Sequence, residues 1–377
     1  MRRWLAALAV VIVVALGAIG WYYSDQILGP DEPIGKTGQR VLAHTDSTIA
    51  LASTFKARRP GQWAIEWPGG FGRTGPLIAL EFDRVLTRFA LASGAPPETT
   101  SRLAGFAPDA DPRTWLGLAF ENVMVPARVG PLPAWWIPGR DSTWVIFVHG
   151  RAVTRAEVLR MLPAYRSIGL PCLVITYRND AGAPRVSGGQ FRLGLTEWED
   201  LEDAARYARG RGARGVVVVG CSMGGGIVAQ FLRRSSDRGF ARAAVLDAPA
   251  LDWNAVIALA ARQRHLPAAV TALGMWVASL RSGIRWSEVS QTPHAGEFST
   301  PMLVIHGDAD DTVPIEVSEA FARARPDLVE FHAVHGAGHV ESANVDADAY
   351  AATITKWLGD RRIGTPGARS APGAKGK

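Results

Sequence analysis

Cysteine is scarce in this 377-residue chain, and its scarcity removes several functions at once. Cys172 and Cys221 form no Cys-x-x-Cys pair that would hold zinc or run thiol exchange. EF-hand carboxylate spacing is missing as well, so neither a metal nor an organic cofactor is implied. The two cysteines fall at opposite ends of expected strands, out of disulfide reach, so both are expected to be free thiols. A stripe of Arg or Lys interleaved with aromatics is also absent. The formal charge of +6 is spread widely, with arginine far more common than lysine, and excludes a nucleic-acid partner as the reading of the basic balance. What is present in quantity is apolar: 47% of residues, enough for a sizeable core and against global disorder.

The N-terminus carries the longest apolar run. Trp4 to Tyr23 is uninterrupted by charge, preceded by Arg2 and Arg3 and closed by Trp21, Tyr22 and Tyr23. About 20 residues cross a bilayer, and aromatics favour its interface. A cleaved signal peptide has a shorter apolar region and a small-x-small site, whereas this run ends in bulky rings. Residues 1–24 therefore read as a retained transmembrane anchor, with a cleaved signal or a buried helix as the alternatives. Basic residues before the span and Asp25, Asp31 and Glu32 after it place the rest of the chain on the extracytoplasmic side. Membrane attachment through this helix is the first expected partnership.

Residues 25–37 read as a linker and 38–117 as a small β-rich accessory region. In the latter, Ser47–Ala52 and Gln62–Trp67 look like strands and Leu80–Ser93 like a helix. From about residue 118 the pattern changes. Asn122–Val129 and Ala134–Pro138 suit a hairpin. Thr143–Val148, Cys172–Tyr177, Val216–Val219, Ala243–Leu246 and Met302–Ile305 are short continuous apolar runs, as in parallel strands buried on both faces. Amphipathic segments lie between them. Thr154 with Glu157, and Thr196 with Glu199, have capping-box spacing, and Gly210 reads as a helix stop. Alternating strand and helix predict an α/β fold with a doubly wound, mostly parallel sheet over residues 118–360. Residues 361–377, rich in Gly, Pro, Ala, Arg and Lys, read as a disordered basic tail.

One segment concentrates the chemistry. Val216–Val219 runs into Gly220-Cys221-Ser222-Met223-Gly224 and then into the helical IVAQFLRR. Strand, G-x-S-x-G and helix together form a nucleophile elbow, where the serine sits on a strained turn and small neighbours relieve crowding. A dinucleotide-binding loop is excluded because serine occupies the second glycine position, and no Walker lysine follows.

With this elbow in place, residues 118–360 resemble the α/β-hydrolase superfamily, and three further motifs in order carry the resemblance. His149-Gly150-Arg151 ends the strand Thr143–Val148; the resemblance implies backbone N–H groups of Arg151 and Met223 as oxyanion donors, with His149 ordering the loop. His306-Gly307-Asp308-Ala309-Asp310-Asp311-Thr312-Val313-Pro314 matches an H-G-x-x-D-x-x-V-P turn, whose register selects Asp310 as the triad acid. Asp308 and Asp311 then read as solvated turn residues, and Asp247 is the rival acid. Gly336-Ala337-Gly338-His339 follows the expected last strand Val329–Val334 and supplies the general base, giving the order Ser…Asp…His.

The resemblance also implies a helical lid at 252–299. There Trp253, Val256, Leu259, Leu273, Met275, Trp276 and Leu280 either wall an acyl site or pack as ordinary helices on the sheet. The implied function is a membrane-anchored serine hydrolase cleaving acyl esters or thioesters of a small-molecule or lipid substrate. A serine peptidase or acyltransferase of the same fold is the near alternative. A non-catalytic membrane scaffold is the distant one.

Overall fold

The computed structural model describes residues 2–29 and 38–364. Most of the expected linker (30–37) and tail (365–377) lies outside the described residues. The fold consists of a long N-terminal helix, a closed barrel and a large mixed sheet with helices on both faces.

Helix α1 spans Arg2–Leu28. It is the one helix among the described residues long and apolar enough to cross a membrane. The barrel follows: β1 (Gln39–His44), β2 (Thr48–Ala52), β3 (Ala64–Trp67), β4 (Gly70–Leu80), β5 (Arg84–Ser93) and β6 (Thr100–Ala104) close in the order β1-β2-β5-β4-β3-β6. Ile49, Leu51, Ile65, Val85, Phe89 and Leu103 fill it.

The segment Leu80–Ser93, read from sequence as a helix, is instead the end of β4, a turn and β5. Leu, Ala and Arg are good helix formers, but buried Val85, Thr87 and Phe89 alternate with exposed Arg84, Arg88 and Ala90 and half-buried Leu86. That period of two seats β5 against β2 and β4, and the pairing overrides propensity.

The main sheet has the order β14-β13-β12-β11-β9-β10-β8-β7. Its strands are β7 (Glu121–Val125), β8 (Leu132–Ile137), β9 (Thr143–Val148), β10 (Cys172–Ile175), β11 (Gly215–Cys221), β12 (Ala241–Asp247), β13 (Met302–Gly307) and β14 (Val329–Val334). From β14 to β10 all pairs are parallel; β8 is antiparallel to β10 and to β7, as the hairpin reading expects.

In chain order the remaining helices are α2 (Pro112–Leu116), α3 (Leu162–Ser167), α4 (Trp198–Gly210), α5 (Met223–Arg234), α6 (Trp253–Gln263), α7 (Ala268–Ser282), α8 (Ile315–Ala324), α9 (Ser342–Val345) and α10 (Ala347–Asp360). Every residue of β9, β10, β11 and β13 is buried. Ile146 and Val218 pack with α4 and α5, while Phe147 and Val219 pack with α3 and α10. Coverage on both faces is the physical origin of the unbroken apolar runs. Cys172 and Cys221 are buried free thiols, as expected, and burial pushes the Cys172 thiol up to about 12.

Neither expected capping box forms. Thr154 does accept from the Ala156 N–H, but the Glu157 carboxylate turns away to the Gly150 N–H. Glu197, just before α4, instead gathers the N–H groups of Arg192 and Gly194, and Glu199 pairs with Arg178.

Candidate active site

Ser222 sits between the C-terminal end of β11 and the first residue of α5. Its φ of 51° and ψ of −120° lie where an L-residue is strained, so neighbouring contacts must hold it. Its N–H donates to the Asp247 carbonyl (3.1 Å), and its carbonyl accepts from Gly225 (3.0 Å) and Ala250 (2.9 Å). The turn tolerates no added bulk: a Cβ at Gly224 would lie 2.2 Å from the Val148 carbonyl oxygen. Ser222 itself is half-buried. Met223 opens α5, so its N–H is one of the first-turn donors without a helical acceptor, at the positive end of the helix dipole.

The turn after β9 lies against this elbow; a Cβ on Gly150 would meet the Ser222 Cβ at 3.3 Å. Several contacts lock it. The Gly150 N–H donates to Glu157 Oε2 (2.7 Å), and the Gly150 carbonyl accepts from the Tyr177 hydroxyl (2.6 Å). His149 is fully buried and stacks on Tyr177, with Nδ1 2.8 Å from the Gly150 carbonyl and Nε2 3.0 Å from Asp180 Oδ2. Burial lowers the His149 pKa, but the Asp180 charge and hydrogen bond more than offset it, for a net rise. These contacts suit a loop-ordering residue. Arg151 reaches back to α1, donating from Nη1 to the Ile27 carbonyl at 2.6 Å.

The acid turn brings two histidines to one carboxylate. Asp310 Oδ2 lies 2.8 Å from His339 Nδ1 and 3.0 Å from His306 Nε2, while Oδ1 accepts from the Thr312 (2.8 Å) and Val313 (2.9 Å) N–H groups. Burial raises the Asp310 pKa; the hydrogen bonds from both imidazoles and the charge of His339 outweigh it and hold the carboxyl well below the usual carboxylate range. Ser318 Oγ, 2.7 Å from His306 Nδ1, fixes that ring. For His339, burial lowers the pKa but Asp310 raises it further, so the imidazole titrates above its ordinary value. Asp247 hydrogen-bonds neither imidazole, though its charge adds to the rise at His339: its Oδ1 accepts from Ser342 Oγ (3.1 Å), and burial lifts its pKa to about 6.

Three supports went unread in the sequence. Glu157 holds the Gly150 turn, though it had been assigned to a cap. Asp308, read as merely solvated, ties the histidine loop to the acid turn through His335 Nδ1 (2.7 Å) and the Gly336 N–H (2.7 Å). The barrel reaches the same loop: Arg59 pairs with Glu341, which accepts from the Gly338 N–H, and Asn344 Nδ2 donates to the Gln62 and Gly105 carbonyls. His335 and His339 stand four apart, a zinc spacing on a helix; on this loop their Nδ1 atoms bind different carboxylates. Among the described residues no group of three or more His, Cys, Asp or Glu side chains is placed to hold a metal ion.

Two cavities lie beside the His149–Arg151 turn, and Ser222 is in the wall of neither. One of about 370 Å³ includes Phe120, Trp135, His149, Arg155 and Asp180 in its wall. The other, about 300 Å³, lies between Arg151, the residues Asp311 and Thr312 beside Asp310, and the α6 residues Trp253, Val256 and Ala260. Of the lid residues named above, only Trp253 and Val256 are in this wall; Leu259, Leu273 and Met275 are not, and Trp276 and Leu280 are 59% and 66% exposed on α7.

The model of the prolyl oligopeptidase family matches residues 185–361. Among solved structures, an esterase of Pyrococcus furiosus superposes with a TM-score of 0.56 at 18% identity, over 68% of this chain and 95% of that one. A thermophilic esterase of the planctomycete Thermogutta terrifontis reaches 0.50 at 20% identity, over 67% and 96%. No curated protein matches by sequence.

Proposed function

We propose that the chain is an α/β-hydrolase and, from that premise, a membrane-anchored serine hydrolase that cleaves acyl esters or thioesters. The observation that carries the reading is the Asp310–His339 pair on loops at the same sheet end as the strained Ser222. With Nδ1 engaged by Asp310, Nε2 of His339 takes the serine proton as Oγ attacks the acyl carbonyl. The N–H groups of Met223 and Arg151 stabilise the resulting oxyanion. Collapse expels the alcohol or thiol, which receives the proton from His339, and water then releases the acid by the same route. The apolar α6 wall of the second cavity fits an acyl group. A serine peptidase is the second reading, favoured by the family match over residues 185–361. Purified full-length protein is expected to turn over acyl esters with kcat/KM at least about tenfold above that for prolyl peptides. The reverse ratio would assign the peptidase.

The anchor is proposed to stay on the mature chain, with the hydrolase outside the cytoplasm. In support, Ser24 and Leu28 are fully buried, and the Leu28 carbonyl accepts from the Phe191 N–H at 3.0 Å. A reporter active only after export, fused at the C-terminus, should be active. Activity from a reporter that works only in the cytoplasm would reverse this topology.

A further inference from the structure

We infer that the last turns of α1 form part of the substrate pocket, and that the substrate is a long-chain acyl amphiphile taken from the bilayer that α1 enters. This rests on the hydrolase reading and adds to it the substrate class and its route.

Tethers usually end in linkers; this one ends in the catalytic domain. Tyr23, Gln26 and Ile27 of α1 line the 300 Å³ cavity together with Arg151, α6 and the Asp311–Thr312 edge of the acid turn. The Arg151 guanidinium caps the carbonyl end of α1, so the residue after Gly150 is joined directly to the helix. Helix C-termini attract cations, and here the cation belongs to the turn that abuts Ser222.

α1 and α7 pack with almost no space between them. A Cβ at Gly20 would lie 2.7 Å from Val277 Cγ2, and one at Gly274 would lie 2.8 Å from Tyr23 Cβ. Arg281 seals the pair, bonding Ser24 Oγ (2.6 Å) and Asp25 (2.7 Å) while lying over the Trp21 ring. α7 therefore stands beside the part of α1 that carries the interfacial aromatics. Trp276 and Leu280 of α7 remain exposed, as do Trp21 and Tyr22 of α1. Exposed aromatic and leucine side chains beside a spanning helix belong at the headgroup–acyl boundary. With α7 seated there, the cavity that its Thr271 helps to line lies within reach of an acyl chain leaving the membrane; such a chain meets Ile27, Val256 and Ala260, and the Arg151 and Asp311–Thr312 edge of the wall is the side that faces the site.

The test uses the full-length protein reconstituted in phosphatidylcholine vesicles, with 4-methylumbelliferyl palmitate in the bilayer and 4-methylumbelliferyl acetate in the water. The double variant Trp276→Asp/Leu280→Asp should keep acetate hydrolysis within about twofold and lose about tenfold or more on palmitate. Equal effects on the two esters, whether both retained or both lost, would overturn the inference. Separately, Ala260→Trp should move the chain-length optimum to shorter acyl groups; an unchanged profile would count equally against it. If the unaltered protein hydrolyses neither ester and a fluorophosphonate leaves Ser222 unlabelled, the hydrolase reading falls, and this inference with it. If acetate is hydrolysed but the variants show no chain-length selectivity, only this inference falls.

Discussion

Ser222→Ala is expected to cut ester hydrolysis by roughly 10⁶-fold and to abolish labelling by a fluorophosphonate probe. The loss is large because the other groups act through the serine. Without Oγ there is no acyl-enzyme, His339 has no proton to take, and only binding and the oxyanion donors remain. The substitution should leave the fold intact. Ser222 is held by its backbone, through bonds to Asp247, Gly225 and Ala250, and alanine keeps all three. An unchanged melting temperature with activity lost is the expected combination. Hydrolysis persisting in Ser222→Ala at even a tenth of the original rate would remove Ser222 as nucleophile.

The second large effect belongs to Asp310. Replacement by Asn keeps the shape but presents an amide to His339 Nδ1, favouring the wrong tautomer, and kcat should fall by about 10⁴-fold, or about 5 kcal/mol of barrier, with KM little changed. The same carboxylate meets His306 Nε2, so Asp310→Asn disturbs two imidazoles, and the fold must be checked by melting temperature. The pH profile supplies an independent readout. His339 accepts the proton only when neutral, so activity falls as pH falls through its pKa. That pKa is raised because Asp310 outweighs burial, placing the midpoint of the acidic limb above the ordinary 6.5. Removing the Asp310 charge should shift the limb to lower pH as the plateau drops. Asp247→Asn is the control, because an amide oxygen still accepts from Ser342. Its loss of activity should be far smaller than that of Asp310→Asn. A crippled Asp247→Asn beside an active Asp310→Asn would exchange their roles.

The barrel shows where sequence reading stopped. Residues 38–117 carry no catalytic motif and read only as an accessory region, yet Arg59, Gln62 and Gly105 contact Glu341 and Asn344, just after His339. Arg59 and Glu341 are 282 positions apart. No periodicity or local motif records such a pair, because it exists only once both domains have folded and met.

Sequence alone determined the features whose causes are local. Strands buried on both faces must be apolar throughout, so β9, β10, β11 and β13 were visible as runs. A serine on a strained strand-to-helix turn needs glycine beside it, so the Ser222 turn was visible too, and the motifs of the later turns pointed to Asp310 and His339, which meet in the fold. Tertiary structure decided the rest. It chose strand over helix for Arg84–Ser93, because β2 and β4 offered edges that its Leu, Ala and Arg content does not anticipate. It sent Glu157 to Gly150 instead of a helix cap, because the turn after β9 left a buried N–H to be satisfied. It turned Trp276 and Leu280 outward and set Tyr23 and Ile27 against the lid cavity, because α1, apolar on every side, packs where Gly20 and Gly274 allow two helices to close. An apolar side chain is drawn equally to a core, a pocket or a bilayer, and only its neighbours in space separate the three.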